Sequence, residues 1–233
     1  MMAKEGLIFV AIGLVVTAGL LWSANKWDSR TLFVFSLLAV VLTLFVVFFF
    51  RDPERVVIEQ PGIIVSPADG KIIAIEEIEN HPFVGDRVTK ISIFLSVFDV
   101  HINRVPVSGV VEYVDYNPGK FFAAFLDKAS ELNERTDIGI TTGSGRKIAF
   151  RQIAGVIARR IVCHLSAGET VVAGDRFGMI RFGSRAELFL PIDARIDVKP
   201  GDHVSGGSSI VGYLGGLTET LDTASTAGRE NVD

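Results

Sequence analysis

A chain of 233 residues with 48% hydrophobic residues and a mean hydropathy of +0.40 is too apolar for an ordinary soluble protein, and long enough for one domain with additions. Its net charge of −4 excludes the basic surplus that a nucleic-acid-binding face needs. Its one cysteine, Cys163, excludes an internal disulfide and agrees with a reducing cytoplasm.

The apolar excess is local. Residues 6–25 and 31–50 are charge-free runs of the length a helix needs to cross a bilayer core, separated only by KWDSR. Two such runs in succession do not fit a secretory signal peptide, so a retained transmembrane hairpin is expected; the alternative is a buried helical pair in a globular core. Lys4, Arg51 and Arg55 lie on one side and Lys26 and Arg30 on the other. The expected orientation has a short outer loop and both ends in the cytoplasm, with the soluble domain on the cytoplasmic side of the inner cell membrane.

After Phe50 the composition changes to RDPERVVIEQPG, whose prolines and mixed charges mark the exit from the membrane. Residues 1–56 therefore read as an anchor, 57–215 as the soluble domain and 216–233, small, polar and aperiodic, as a disordered tail. Within 57–215, β-branched runs alternate with turn residues: KIIAIEEI (71–78), TKISIFLSV (89–97), GVVEYVDY (109–116), KIAFRQIAG (147–155), ARRIVCHL (158–165) and AELFLPI (186–192). This pattern predicts a mainly β fold, an antiparallel sheet or barrel. FFAAFLDKASELNER (121–135) has helical spacing and predicts one short helix. VVAGDRFGMIRFGS and VKPGDHVSGGSSIVGYL share a Gly-Asp turn between valine-rich flanks, a faint internal echo.

Among many serines, Ser184 stands out, because Arg181-Phe182-Gly183-Ser184-Arg185 joins a strand-like FGMI to a strand-like AELFLP without loop composition. A glycine before a serine permits backbone strain and lets the hydroxyl approach the preceding carbonyl; it is equally the mark of a bulge or tight bend. His81, His164 and His203 lack the spacing of a metal set, and no metal is expected.

Motifs spread along the chain carry a resemblance. From FFFRDPER (48–55) through VSPADGK (65–71), FLSVFDVHINRVPVSG (94–109), GKFFAAFLDKASELNER (119–135), QIAGVIARRI (152–161) and RFGSRAELFLP (181–191), the sequence resembles the short form of the phosphatidylserine decarboxylase family. The resemblance implies a pyruvoyl-dependent carboxy-lyase made as a proenzyme. It implies self-cleavage between Gly183 and Ser184 into chains 1–183 and 184–233 that stay associated, with Ser184 becoming a covalent pyruvoyl group. That ketone would form a Schiff base with phosphatidylserine in the membrane and release carbon dioxide to give phosphatidylethanolamine. Asp69 matches the aspartate of an S-P-x-D-G turn, and His101 the histidine after an aspartate. Longer relatives carry a second histidine where Arg104 stands.

The chemistry is coherent on its own terms. A base activates a serine and a carboxylate fixes that base's tautomer, so Asp69, His101 and Ser184 form a catalytic set. His101 is also the acid that returns a proton in turnover. Arg104, Arg159, Arg160, Arg181 and Arg185 are candidate partners for the lipid headgroup. Two rivals stay open: a membrane-tethered β-barrel of the biotinyl or lipoyl kind, for which Lys199 is the available lysine, and a serine hydrolase using Asp69, His101 and Ser184. Gly207-Ser208 is a competing cleavage position, and the oligomeric state is open, a homo-oligomer included.

Overall fold

The structure is a computed structural model that describes residues 1–57, 60–120, 132–155, 160–181 and 184–215. It divides into two compact units, Met1–Glu54 and a second that begins at Arg55.

In the first unit a short 3-10 turn, Lys4–Gly6, leads into α1 (Leu7–Lys26), and α2 (Arg30–Phe49) follows after a three-residue turn. Each helix has 20 residues, about 30 Å, which matches the apolar thickness of a bilayer. Ser29 caps α2 by accepting a hydrogen bond from Leu32 N. The facing surfaces are small or weakly polar: Thr17, Ala24, Ser36 and Thr43 are buried, and a Cβ on Gly13 would lie 2.5 Å from Thr43 Oγ1. Ser36 and Thr43 satisfy their hydroxyls on Phe33 O and Ala39 O of their own helix. The large apolar side chains point outward, Val15 being 73% and Leu44 62% exposed. Small residues inside and large apolar residues outside invert the pattern of a water-soluble helix pair and fit helices that meet lipid. The buried helical pair of a soluble core is thereby set aside.

The second unit is mainly β, as the residue pattern predicts. Its strands are β1 (Ile63–Val65), β2 (Gly70–His81), β3 (Gly85–Leu95), β4 (Ile102–Arg104), β5 (Gly109–Asn117), β6 (Arg135–Thr141), β7 (Lys147–Ile153), β8 (Ile161–Cys163), β9 (Thr170–Val171), β10 (Arg176–Ile180), β11 (Ser184–Pro191), β12 (Arg195–Ile196), β13 (His203–Val204) and β14 (Ile210–Tyr213). Eight of them form a curled antiparallel sheet in the order β13-β2-β3-β11-β7-β6-β5-β9, and two three-stranded sheets, β1-β14-β12 and β4-β10-β8, complete the unit. The core draws on the large sheet through Ile72, Ile91, Ile93, Ile138, Phe150 and Leu188, and on the smaller ones through Ile64, Phe177 and Val211.

β11 lies inside the large sheet, and every residue from Ser184 to Leu190 is buried. Its register puts Ser184, Ala186, Leu188 and Leu190 on one face with Leu95, Ile93 and Ile91 of β3. Arg185, Glu187 and Phe189 take the other face, where Phe189 packs with Val88 and Ala149.

Two expectations fall wholly or mainly outside the described residues. The helix expected over 121–135 is described only at its end, where Leu132 is helical, Asn133 makes an isolated bridge to Lys120 and Arg135 opens β6. The tail expected over 216–233 also lies outside the described residues.

His81, at the end of β2, shows how tightly the far face is packed. Its Nδ1 accepts from Val84 N at 3.2 Å and from Phe83 N at 3.4 Å, and its ring lies 4.6 Å from that of Phe189. Burial, and then the Arg151 guanidinium, hold its pKa below the ordinary histidine value, while Asp137 offsets part of that. A depressed folded pKa means that above about pH 6.5 both folded and unfolded chains carry neutral His81 and the contribution to stability is complete. As the pH falls below that value the unfolded chain takes up a proton first, and stability drops. Urea midpoints measured between pH 7.5 and about 5.5 should show this loss, and His81→Asn, which keeps an acceptor for the two amides, should reduce it.

Candidate active site

The site begins with the turn Ser66-Pro67-Ala68-Asp69-Gly70. Ser66 Oγ donates to Ala68 O at 2.7 Å and closes the turn on itself. Gly70 has φ +151°, and a Cβ there would lie 2.3 Å from Phe94 O, so only glycine lets β2 start this close to β3. Asp69, immediately before it, is held at both oxygens. Gly206 N donates to Oδ1 at 2.7 Å and Arg55 Nη2 donates to Oδ2 at 2.6 Å.

β3 connects this turn to Ser184. Lys71 pairs with Phe94, and Leu95, the next residue of β3, pairs with Ser184. Gly70, Leu95 and Ser184 thus share one transverse row of the sheet, so two strand spacings, about 10 Å, separate the backbones of Gly70 and Ser184. Ala68, Leu95 and Ala186 pack together as a small apolar cluster on the Ser184 face. Ser184 itself is fully buried, and its Oγ has no hydrogen-bond partner among the described residues. Buried hydroxyls are nearly always satisfied, so an unsatisfied one beside an apolar cluster calls for a chemical reason.

His101 approaches from the β4-β10-β8 sheet. Ile180 N donates to His101 O at 3.3 Å, which sets the histidine beside the segment that leads into Gly183-Ser184. Arg104 N donates to Pro67 O at 2.9 Å and docks the same strand on the aspartate turn. The buried His101 ring places Nδ1 3.0 Å from Asp99 O. A carbonyl can only accept, so this bond puts the proton on Nδ1 and makes Nε2 the basic nitrogen. Asp99 is in turn fixed by its own carboxylate, whose Oδ2 accepts from Ser96 N and Ser96 Oγ, both at 2.7 Å. The tautomer contact that sequence reasoning reserved for a carboxylate is therefore made on Nδ1 by a backbone carbonyl. A buried amide bridge, Gln152 Nε2 to Asn103 Oδ1 at 2.9 Å, ties β4 to the large sheet.

The segments bearing Asp69, His101 and Ser184 thus converge at one end of the sheet. Gly183 lies outside the described residues. Of the candidate headgroup cations, Arg104 is buried and donates to Gly174 O at 2.8 Å. Arg185 is buried against Glu187 at 3.0 Å. Arg159 lies outside the described residues. Among the described residues no group of three or more His, Cys, Asp or Glu could hold a metal ion. Burial pushes the Cys163 thiol above its ordinary pKa, away from the reactive thiolate. The competing Gly207-Ser208 sits in a turn, with Gly207 at φ +75° and its N donating to Ser66 O at 2.8 Å. Sequence reasoning missed Arg55, which stood only as part of the membrane exit, and the bracing turn of Asp99.

Fold and site together describe a β-sheet domain built around a buried serine and preceded by a helical hairpin long and apolar enough to cross a membrane. The model of the phosphatidylserine decarboxylase family matches residues 42–212. A phosphatidylserine decarboxylase proenzyme of Desulfotalea psychrophila is 46% identical over 212 residues, which cover 91% of this chain and 96% of the relative. Proenzymes of the same name from Symbiobacterium thermophilum (50% over 173 residues, 74% of this chain and 80% of the relative) and Syntrophus aciditrophicus (46% over 211 residues, 90% and 96%) agree. This chain belongs to the phosphatidylserine decarboxylase family.

The strand that carries Ser184 is braced on its far face by buried charge. Glu187, with a fully buried side chain, lies 3.0 Å from Arg185 Nη2 and 3.5 Å from Arg151 Nη1. Arg151 also pairs with Asp137, which accepts from Arg135 at 3.2 Å. Removing the Glu187 charge leaves two guanidiniums without it in a buried setting, a loss of about 3–5 kcal/mol by the usual scale for a broken buried pair. Glu187→Gln should lower the urea midpoint of the domain markedly, whereas Glu77→Gln, in an exposed pair with Arg87, should leave it nearly unchanged.

Proposed function

We propose that this chain is a phosphatidylserine decarboxylase made as a proenzyme, which cuts itself between Gly183 and Ser184 and turns Ser184 into the pyruvoyl group it then uses. The observation that carries the reading is Ser184 Oγ: buried, without a partner among the described residues, and next in sequence to the one carbonyl it would need to attack.

The first step is an acyl shift. His101 Nε2 takes the hydroxyl proton, Ser184 Oγ bonds to the carbonyl carbon of Gly183, and the bond from that carbon to the Ser184 nitrogen breaks to leave an ester. Loss of the Ser184 α-proton expels the Gly183 carboxylate. The resulting dehydroalanine takes up one water and releases one ammonia, which leaves a pyruvoyl group at residue 184. The residues fit such a group: Ser184 is the first residue of its strand, its face is lined by Ala68, Leu95 and Ala186, and His101 is hydrogen-bonded through its backbone to Ile180, four residues before it.

A pyruvoyl group supplies an electron-accepting carbonyl to a substrate amine, which is what loss of carbon dioxide from phosphatidylserine requires. The chain's own task is then to exclude water from the buried surroundings of residue 184 and to return a proton to the substrate α-carbon from His101. Asp69 supplies a fixed negative charge at the same end of the sheet. After the cut, residues from Ser184 onward would stay in place, because β11 is hydrogen-bonded to β3 on one side and β7 on the other. Phosphatidylserine would reach the site from the membrane that the hairpin enters, with both ends of the hairpin on the cytoplasmic side as the flanking charges favour.

Full burial of Ser184 favours attack on its own chain over attack on an outside ester, which argues against the serine hydrolase. Lys199 lies ahead of the turn that contains Gly201 and not at a hairpin tip, which argues against the carrier barrel.

Intact mass spectrometry tests the reading. Wild-type protein should appear as two chains divided at residues 183 and 184, the smaller with a hydrazine-reactive blocked amino terminus. Ser184→Ala should remain a single 25.3 kDa species and release no carbon dioxide from phosphatidylserine. A wild-type chain that stays whole while it decarboxylates the lipid overturns the reading.

A further inference from the structure

Arg55 sits where sequence reasoning placed the edge of the anchor, yet in the structure it belongs with the β unit. It follows the last residue of α2, Phe49, in the segment Phe50-Arg51-Asp52-Pro53-Glu54 that leaves the helix. Its Nη2 lies 2.6 Å from Asp69 Oδ2, and the two side chains are 19% and 14% exposed. A charge-assisted bond of that length between largely buried groups is worth far more than a surface ion pair.

The second hold on Asp69 comes from the body of the domain. Gly206 N donates to Oδ1, and the adjacent Gly207 N donates to Ser66 O at 2.8 Å, so the turn 205–208 grips the aspartate turn from that side. Oδ1 is thus fixed by a backbone amide, and Oδ2 by the residue that comes from the membrane exit. The Arg55 contact is the hold on Oδ2, and a carboxylate gripped at both oxygens has a set orientation.

We propose that Arg55 is a positioning residue for self-cleavage: it holds the Asp69 carboxylate oriented at the end of the sheet where β11 begins with Ser184. The inference rests on the self-cleavage reading above. Substitution of Arg55 then acts on the chemistry through Asp69. Arg55 itself need touch neither Ser184 nor substrate.

The experiment follows processing of full-length chains during cell-free synthesis into detergent or liposomes, with the 25.3 kDa proenzyme and the two products resolved by mass over time. Arg55→Ala should slow the appearance of the products by roughly tenfold or more, the range expected for loss of one charge-assisted hydrogen bond. Arg55→Lys, which keeps a cation in reach of Oδ2, should recover most of the rate. Millimolar guanidinium should accelerate Arg55→Ala and leave wild type unchanged, whereas the same concentration of tetramethylammonium should do neither.

Equal rates for wild type and Arg55→Ala overturn the inference. So does slow processing in Arg55→Ala that accompanies a lowered melting temperature and responds to neither lysine nor guanidinium, since that marks a fold defect. A wild-type chain that never divides sinks the self-cleavage reading itself, which is a separate result from a wild type that divides and a variant that divides equally fast.

Discussion

The start of β11 is the constraint around which the rest of the domain is arranged. Ser184 must be at once the first residue of a central strand, bonded to its neighbours in a fixed register, and a hydroxyl left without a partner among the described residues in an apolar setting. The second condition is unfavourable by about 1–3 kcal/mol for a buried polar group. The first condition offsets it. β11 is buried from Ser184 to Leu190, paired along its length with β3 and over Arg185–Phe189 with β7, so the serine has no cheaper place to go. Strain of this kind persists only where the surrounding structure over-determines the geometry.

The groups around Ser184 are held with the same redundancy. His101 depends on Asp99 for its tautomer, and Asp99 depends on Ser96, so a turn of its own chain segment fixes the base. Gln152 and Asn103 then bind that segment to the large sheet through buried amides. Asp69 is pinned at both oxygens. These holds fix the polar groups around Ser184 in place while its own hydroxyl is left without a hydrogen-bond partner among the described residues.

Much of this was legible in the sequence because the signals were long or chemically singular. The hairpin rests on two charge-free runs, and β2, β3, β5, β7 and β11 rest on β-branched runs that the register confirms within a few residues. β6 escaped because Arg-Thr-Asp-Ile-Gly-Ile-Thr offers few apolar residues and directly follows a stretch with helical spacing. β1, β4, β12 and β13 escaped because strands of two or three residues are defined by their partners and carry no periodicity of their own. At the site, Ser184, His101 and Asp69 were visible as motifs. Arg55 was not, because an ion pair to a residue 14 positions away leaves no mark on local composition, and the charges of RDPER were already accounted for by the membrane exit.

The topology also explains why a cut at this point need not unravel the domain. β10 ends at Ile180 in one sheet and β11 begins at Ser184 in another, so only residues 181–183 join the two. A bond in such a link can be broken without removing a ladder hydrogen bond from β10 or β11, because each strand is held by neighbours in its own sheet. The residue that would gain a free end is Ser184, which stays paired with Leu95. Self-cleavage at Gly183-Ser184, as proposed, would place the new terminus at a residue that is buried and fixed in register. A cut within β10 or β11 would instead forfeit ladder bonds on both sides.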